Sequence, residues 1–299
     1  MLQLNTKNMI AITGGNGHLG RATALELLKR VDPDQLIVSV REPEKATELA
    51  EKGVSVRHGD FNDLSSLVRA FQGAETVLII SGDAPNEVRT RQHRTAVDAA
   101  RQAGARHIVY TSILDPDPAS PFTFAAIHAD TEQYIIDSGL TYTFFRNGWY
   151  LETLPLLVGN PAENKAIYFP AGQGRLVFAG RDDIAEALAI VLTTAGHHNQ
   201  AYDINSGESH SFTDIAVLVS QQLGEPITYV DIPAASLEEG LQKAGLPEFV
   251  IAAMVGMSEA LKQHRLEKAS DTLATLLGRS PKGVAQYLSE LMGASQVRA

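Results

Sequence analysis

Gly14-Gly15-Asn16-Gly17-His18-Leu19-Gly20 follows a short apolar, β-branched run, Met9–Thr13, and opens a helical pattern that reaches about Arg30. A buried strand, a glycine-rich turn and a helix form the first half of a dinucleotide-binding βαβ unit. Gly14 permits the tight turn off the strand. Gly17 lets backbone N–H groups approach a pyrophosphate, and Gly20 lets the helix pack closely on the sheet. The unpaired N–H groups and positive dipole end of the helix then face the phosphates. The Gly-x-x-Gly-x-x-Gly spacing departs from G-x-G-x-x-G, so the strand–turn–helix context carries the assignment.

The next chemistry-bearing residues say which nucleotide. A second strand, Leu36–Val40, ends in Arg41, where NAD-binding folds place an Asp or Glu to hold the ribose 2′-hydroxyl. A guanidinium cannot accept that hydrogen bond but suits a 2′-phosphate, and Lys45, one helical turn on, adds charge. NADP(H) is therefore the expected cofactor, ahead of NAD(H). Asp60-Phe61 after the third strand is placed to flank an adenine ring, although Phe61 also reads as core. Ser81-Gly82 after the fourth strand, and Thr111-Ser112 at the end of the fifth, lie where the chain passes the cofactor.

Around these residues strand and helix patterns alternate, which predicts an α/β, Rossmann-type doubly wound parallel sheet. Strands are expected at Met9–Thr13, Leu36–Val40, Val54–Arg57, Thr76–Ile80, His107–Thr111 and Thr141–Arg146. Helices are expected from Pro43 to Lys52, up to Gly73, over Val88–Ala103 and over Phe124–Asp137. The NADP-binding domain is read as 9–150. A smaller, mostly helical substrate or cap domain is read as 151–293, with about 181–205 returning to the main layer as a helix (Asp182–Thr194) and a strand (Ala201–Ile204). Residues 1–8 and 294–299 are read as tails, the latter mobile. Arg181-Asp182-Asp183 reads as a helix start, the acids favouring the N-terminal dipole.

Composition narrows the class. With 299 residues, 44% hydrophobic and 20% charged, the chain is a globular protein with a real core. A net charge of −10 without a Lys/Arg block disfavours nucleic acid and anionic membrane as partners. The chain has no cysteine, which excludes disulfides, thiolate nucleophiles and Cys-ligated metals. No run is long enough to span a bilayer, and the first eight residues lack a signal-peptide pattern, so a cytoplasmic location is expected. His197-His198 has no carboxylate at ligand spacing and is read as loop; no metal is expected. A homo-oligomer is compatible with the sequence but not fixed by it.

Thr13–Gly20, Val40-Arg41-x-Pro43-x-Lys45-Ala46, Gly59-Asp60-Phe61 and Phe145-Arg146-Asn147-Gly148-Trp149-Tyr150 together resemble the NmrA-like branch of the atypical short-chain dehydrogenases. That branch holds NADPH-dependent quinone reductases and triphenylmethane-dye reductases. The resemblance spans Met9 to about Gly293, and the Arg-Asn-Gly-Trp-Tyr run is its more specific element. It implies that Arg146, Asn147, Gly148 and Trp149 meet the nicotinamide half of the cofactor and that Arg181 reaches it. Tyr150 is implied as pocket lining for an aromatic substrate. For Trp149, packing between sheet and cap is the stronger alternative.

Ordinary short-chain dehydrogenases carry Tyr-x-x-x-Lys on the helix after the fifth strand, with a Ser ahead of it. Ser112 stands near that Ser, but Phe124 and His128 occupy the Tyr and Lys positions. Reducing a simple ketone makes an alkoxide about as basic as hydroxide, near 15.7, so a positioned acid is needed. Reducing a quinone makes a phenolate-like oxygen of pKa about 10 or lower, which water can protonate. The sequence thus argues against ketone or epimerase chemistry and permits quinone, dye or azo reduction, carried by proximity to a positioned nicotinamide. His128 is open between two roles, a pocket residue acting on a substrate oxygen and a helix-face partner of Glu132 at i+4. The candidate catalytic residues are His128, Asn147 and Tyr150. The competing function is a non-catalytic NADP(H) sensor that regulates by protein contact.

Overall fold

The computed structural model describes residues 8–296. Strands β1 (Ile10–Thr13), β2 (Leu36–Val40), β3 (Ser55–His58), β4 (Thr76–Ile79), β5 (His107–Ile113) and β6 (Thr141–Asn147) join the later strand Gln200–Ile204 in one seven-stranded sheet. From the late strand inward the order is β6, β5, β4, β1, β2, β3. β1 runs parallel to β2 and β4, β2 to β3, and β4 to β5. The strand order reverses between β1 and β4, the switch point at which doubly wound sheets bind ligands. Every residue of β1, β2 and β4 is buried, as their near-continuous apolar runs require of strands covered on both faces.

The chain divides into two compact units. The first holds the residues up to Ser112, with His128–Arg146 and Ile184–Tyr202; its core gathers Ala11, Ile37, Leu67, Phe71, Val77, Tyr110 and Phe144. The second holds Ile113–Ile127, Asn147–Asp183 and the chain from Asp203. These limits differ from the sequence boundaries: Ile113–Ile127 and Asn147–Tyr150 fall in the second unit, and the return to the first narrows to Ile184–Tyr202.

The second unit contains a three-stranded sheet in the order Ser209–Ser211, Arg175–Ala179, Trp149–Tyr150, and a parallel pair, Ala166–Tyr168 with Thr228–Val230. Helices Phe212–Leu223, Ala234–Lys243, Glu248–Lys262, Thr272–Leu277 and Val284–Gln296 make the rest mostly helical.

Two local expectations change. The helix expected over Pro43–Lys52 is a 3-10 turn, Pro43–Lys45, and a short helix, Thr47–Glu51, broken where Ala46 is buried at φ −105 and ψ 31. The tail expected from 294 begins as helix, because Val284–Gln296 continues to Gln296. Residues 297–299, and 1–7 of the N-terminal tail, lie outside the described residues.

Candidate functional site

Gly14 has φ +70, in the region glycine adopts most readily, and the Gly17 N–H closes the turn onto the Gly14 carbonyl at 2.9 Å. A Cβ on Gly15 would lie 2.0 Å from Val38 of β2, and one on Gly20 would lie 2.2 Å from the Gly14 oxygen. The close packing on the sheet that the sequence assigned to Gly20 therefore belongs to Gly15, while Gly20 packs on the turn itself. Gly17 is exposed and caps helix His18–Leu27 without a side-chain hydrogen bond or a first-turn acid. Its first N–H groups are thus left to an outside acceptor. Asn16 and His18 are exposed, with the Asn16 amide donating to the Glu42 carbonyl at 3.1 Å. Leu19 is buried, so any part it plays is through its backbone.

Arg41 is exposed, and its guanidinium makes no ion pair among the described residues. Lys45 instead pairs with Glu42 at 2.7 Å, which spends much of the charge expected to help Arg41. The Asp60 carboxylate accepts from the Asn62 N–H at 2.8 Å, and Phe61 packs half-buried against the core. The end of β4 is tied by two threonines: Thr13 Oγ1 accepts from the Ile80 N–H at 2.8 Å and Thr111 Oγ1 from the Ser81 N–H at 3.0 Å. A Cβ on Gly82 would come no closer than 4.0 Å to Phe61 or Gln92, so this edge is roomy.

Behind β5 the interior is polar. His128 is 2% exposed, and its Nδ1 lies 2.8 Å from the Tyr110 hydroxyl, which is 3.2 Å from His93 Nδ1. His93 Nδ1 also meets Thr131 Oγ1 at 2.9 Å. Burial first, then the charge of Arg89, pushes His93 down to about 3. Burial, Arg89 and His93 likewise hold His128 well below its ordinary 6.5, and burial raises Tyr110. The expected pairing of His128 with Glu132 is corrected. It is an interior histidine hydrogen-bonded to Tyr110 and does not pair with Glu132.

Glu132 is engaged elsewhere. Ser112 donates to its Oε1 at 2.6 Å, while Arg146 grips the carboxylate through Nε at 3.0 Å and Nη2 at 2.6 Å. Two of the five N–H donors of Arg146 thus go to Glu132, and the single Ser112 hydroxyl proton goes to the same carboxylate. The sequence shows Glu132 only as a helix residue four after His128; its partners lie on β5 and β6, beyond any local pattern.

In the second unit, a Cβ on Gly148 would lie 2.9 Å from the Val177 carbonyl, so the close approach its lack of side chain permits is to strand Arg175–Ala179. Trp149 packs on the second core with Phe122, ring centroids 6.1 Å apart, and its buried Nε1 has no partner among the described residues. Asn147 is buried, its Nδ2 3.5 Å from the Tyr150 hydroxyl and its Oδ1 without a partner among the described residues. The Arg181 guanidinium lies 4.6 Å from the Tyr150 ring centroid, a cation–π contact. Glu152 accepts from the Arg181 N–H at 2.8 Å and sits 3.7 Å from its guanidinium. Sequence reasoning missed Glu152, which caps a helix start 29 residues away. It also lines a cavity of about 310 Å³ with Asp183, Lys282, Tyr287 and Glu290. Of the expected site residues, Gly14 to Arg146 lie in the first unit, and Asn147, Gly148, Trp149, Tyr150 and Arg181 in the second. No cluster of three or more His, Asp or Glu that could hold a metal ion occurs among the described residues.

The chain was compared with known proteins. The sequence model of the NmrA-like family matches residues 6–288. Quinone oxidoreductase 2 from Escherichia coli is 35% identical over 283 residues, covering 95% of this chain and 98% of that protein. The crystal structure of an Escherichia coli NADPH-dependent quinone oxidoreductase complexed with NADPH matches with a TM-score of 0.87 at 35% identity, over 95% of this chain and 99% of that one. A triphenylmethane reductase from Citrobacter sp. matches with a TM-score of 0.87 at 34% identity, over 95% and 99% of the two chains.

Proposed function

The chain belongs to the NmrA-like family, and on that premise we propose that it is an NADPH-dependent oxidoreductase that passes a hydride directly to a quinone or similar conjugated aromatic acceptor. When bound, the cofactor supplies the hydride, and the acceptor takes up one proton with it, so that a quinone leaves as the hydroquinone.

The glycine turn fits a dinucleotide. Side chains are excluded at Gly15 and Gly20 by their own surroundings, while exposed Gly17 and the uncapped helix start keep N–H groups for the pyrophosphate. Arg41 is assigned to the 2′-phosphate, with Lys45 in a lesser part because of Glu42. Asp60, Phe61, Ser81, Gly82 and Thr111 are assigned to the walls of the cofactor site. Asn147 and Tyr150 are assigned to the reacting end, Asn147 through its buried Oδ1, which has no partner among the described residues.

One observation carries the choice of reaction. At the positions where dehydrogenases of simple ketones keep their acid, Phe124 has no proton to give, His128 is a buried neutral imidazole, and the Ser112 proton is held by Glu132. A reaction whose product oxygen water can protonate suits this chain, and one that makes an alkoxide does not. Hydride transfer then rests on holding a flat acceptor against the nicotinamide, with Tyr150 as the aromatic face.

No helix among the described residues is long and apolar enough to cross a membrane, and a cytoplasmic location with a small-molecule acceptor completes the proposal. NADPH consumption by the purified protein against benzoquinones, naphthoquinones, azo and triphenylmethane dyes, with aliphatic ketones as controls, tests it. Turnover of conjugated acceptors and none of ketones is expected. Tight NADPH binding with no turnover of any acceptor would transfer the reading to the sensor.

A further inference from the structure

Residues 114–122 follow β5 without regular secondary structure, and three prolines (116, 118, 121) stiffen them. Two features of helix Glu248–Lys262 and its end hold this arm within the second unit. At mid-helix, a Cβ on Gly256 would lie 2.1 Å from the Pro121 carbonyl oxygen, so only glycine lets the helix run against the arm. Past its end, the chain turns through His264 at φ +58, the Arg265 N–H returns to the Ala260 carbonyl at 3.1 Å, and the guanidinium reaches the arm. Arg265 Nε lies 2.6 Å from Asp115 Oδ2 and its Nη2 pairs with Asp117 Oδ2. Asp115 sits at φ +49, in the left-handed region that Asp adopts more readily than most residues with a Cβ.

The arm ends in aromatic residues. Phe122 is buried in the second core, 5.4 Å from half-buried Phe124 and 6.1 Å from half-buried Trp149, measured between ring centroids. Trp149 is followed directly by Tyr150, the assigned acceptor face.

We infer that Arg265 is a positioning residue for the aromatic acceptor: by tying Asp115 and Asp117 it fixes Phe122 and Phe124 against Trp149 and so sets the shape of the flat surface that receives a conjugated ring. This rests on the reductase reading. Lysine cannot replace it fully, because a single ammonium lacks the planar fork that engages two carboxylates at once.

The test uses Arg265→Met and Arg265→Lys in the full chain. Trp149 is the only tryptophan, so intrinsic emission reports its surroundings without turnover. Arg265→Met should shift that emission and raise KM for a naphthoquinone about tenfold, with kcat within about twofold and NADPH affinity unchanged; Arg265→Lys should fall between. Raising the ionic strength to 1 M should move wild-type emission toward the Arg265→Met value and leave the variant unmoved, since half-exposed ion pairs are screened. Unchanged emission and KM in a folded Arg265→Met protein would overturn the proposal, as would NADPH affinity, kcat and thermal stability falling together. Wild type that turns over no acceptor would defeat the reductase reading itself, an outcome distinct from active wild type with KM indifferent to Arg265.

Discussion

Ser112 donates its hydroxyl proton to Glu132 across 2.6 Å, and the same carboxylate accepts from Arg146 Nε and Nη2. A hydroxyl has one proton, so this bond removes Ser112 from the list of acids. Ser112→Ala should therefore keep acceptor turnover within about threefold of wild type in steady-state assays. A loss of the hundredfold or more expected on removing a general acid would show that Ser112 supplies the proton.

Glu132→Ala should be costly for another reason, since it removes the carboxylate to which both Arg146 and the Ser112 hydroxyl donate. Breaking a buried ion pair costs several kcal/mol, and because Arg146 is 32% exposed the expected loss is roughly 2–3 kcal/mol. Glu132→Gln, which keeps an acceptor oxygen, should lose less. Denaturant midpoints of the three proteins measure the order.

At the nucleotide end, Arg41→Ala should weaken NADPH binding about tenfold or more, about 1.4 kcal/mol, and leave NADH nearly unchanged. Lys45→Ala should do less, because Glu42 already pairs with Lys45 at 2.7 Å. Fluorescence titration of both cofactors reads the ratio; equal losses for NADPH and NADH would remove Arg41 from the 2′-phosphate.

The buried histidines predict an acid-sensitive fold. His93 and His128 have folded-state pKa values depressed below the unfolded 6.5, to about 3 for His93. Above 6.5 both are neutral in either state and stability does not depend on them. As pH falls below 6.5 the unfolded chain takes up their protons first, so stability declines toward pH 3, by at most about 1.4 kcal/mol per pH unit for each histidine. Urea midpoints between pH 7.5 and 5 should fall, and more shallowly in His93→Gln. An equal slope in that variant would mean that other groups carry the effect.

These histidines also mark the limit of the sequence. Local signals made the first unit legible: apolar strand runs, the glycine turn after β1 and the end of each helix. The place of Arg41, exposed just past β2, was legible because it depends only on the strand it follows. The interior behind β5 was not, because His128, Thr131 and Glu132 are polar residues on the face of helix Thr123–Asp137 that also carries buried Ile135, and no local pattern names their partners. They are buried because Tyr110, Ser112, His93 and Arg146 answer them from elements 14 to 38 residues away. The contact of Gly148 with the Val177 carbonyl was hidden for a similar reason: it lies 29 positions on, and no local pattern points there.

Tyr150 separates packing from proton transfer at the reacting end. Tyr150→Phe should change kcat less than threefold, because the ring and its contact with Arg181 remain. Tyr150→Ala should raise acceptor KM about tenfold. A hundredfold loss of kcat in Tyr150→Phe would instead make the hydroxyl the acid.

The most direct test of the account is deuterium transfer. NADPH fully deuterated at C4 of the nicotinamide would be consumed by the protein with a triphenylmethane dye as acceptor, and the colourless product analysed by mass spectrometry. Direct hydride delivery predicts one deuterium on the central carbon of every product molecule. Product without the label, or no product from protein that binds NADPH, would contradict it.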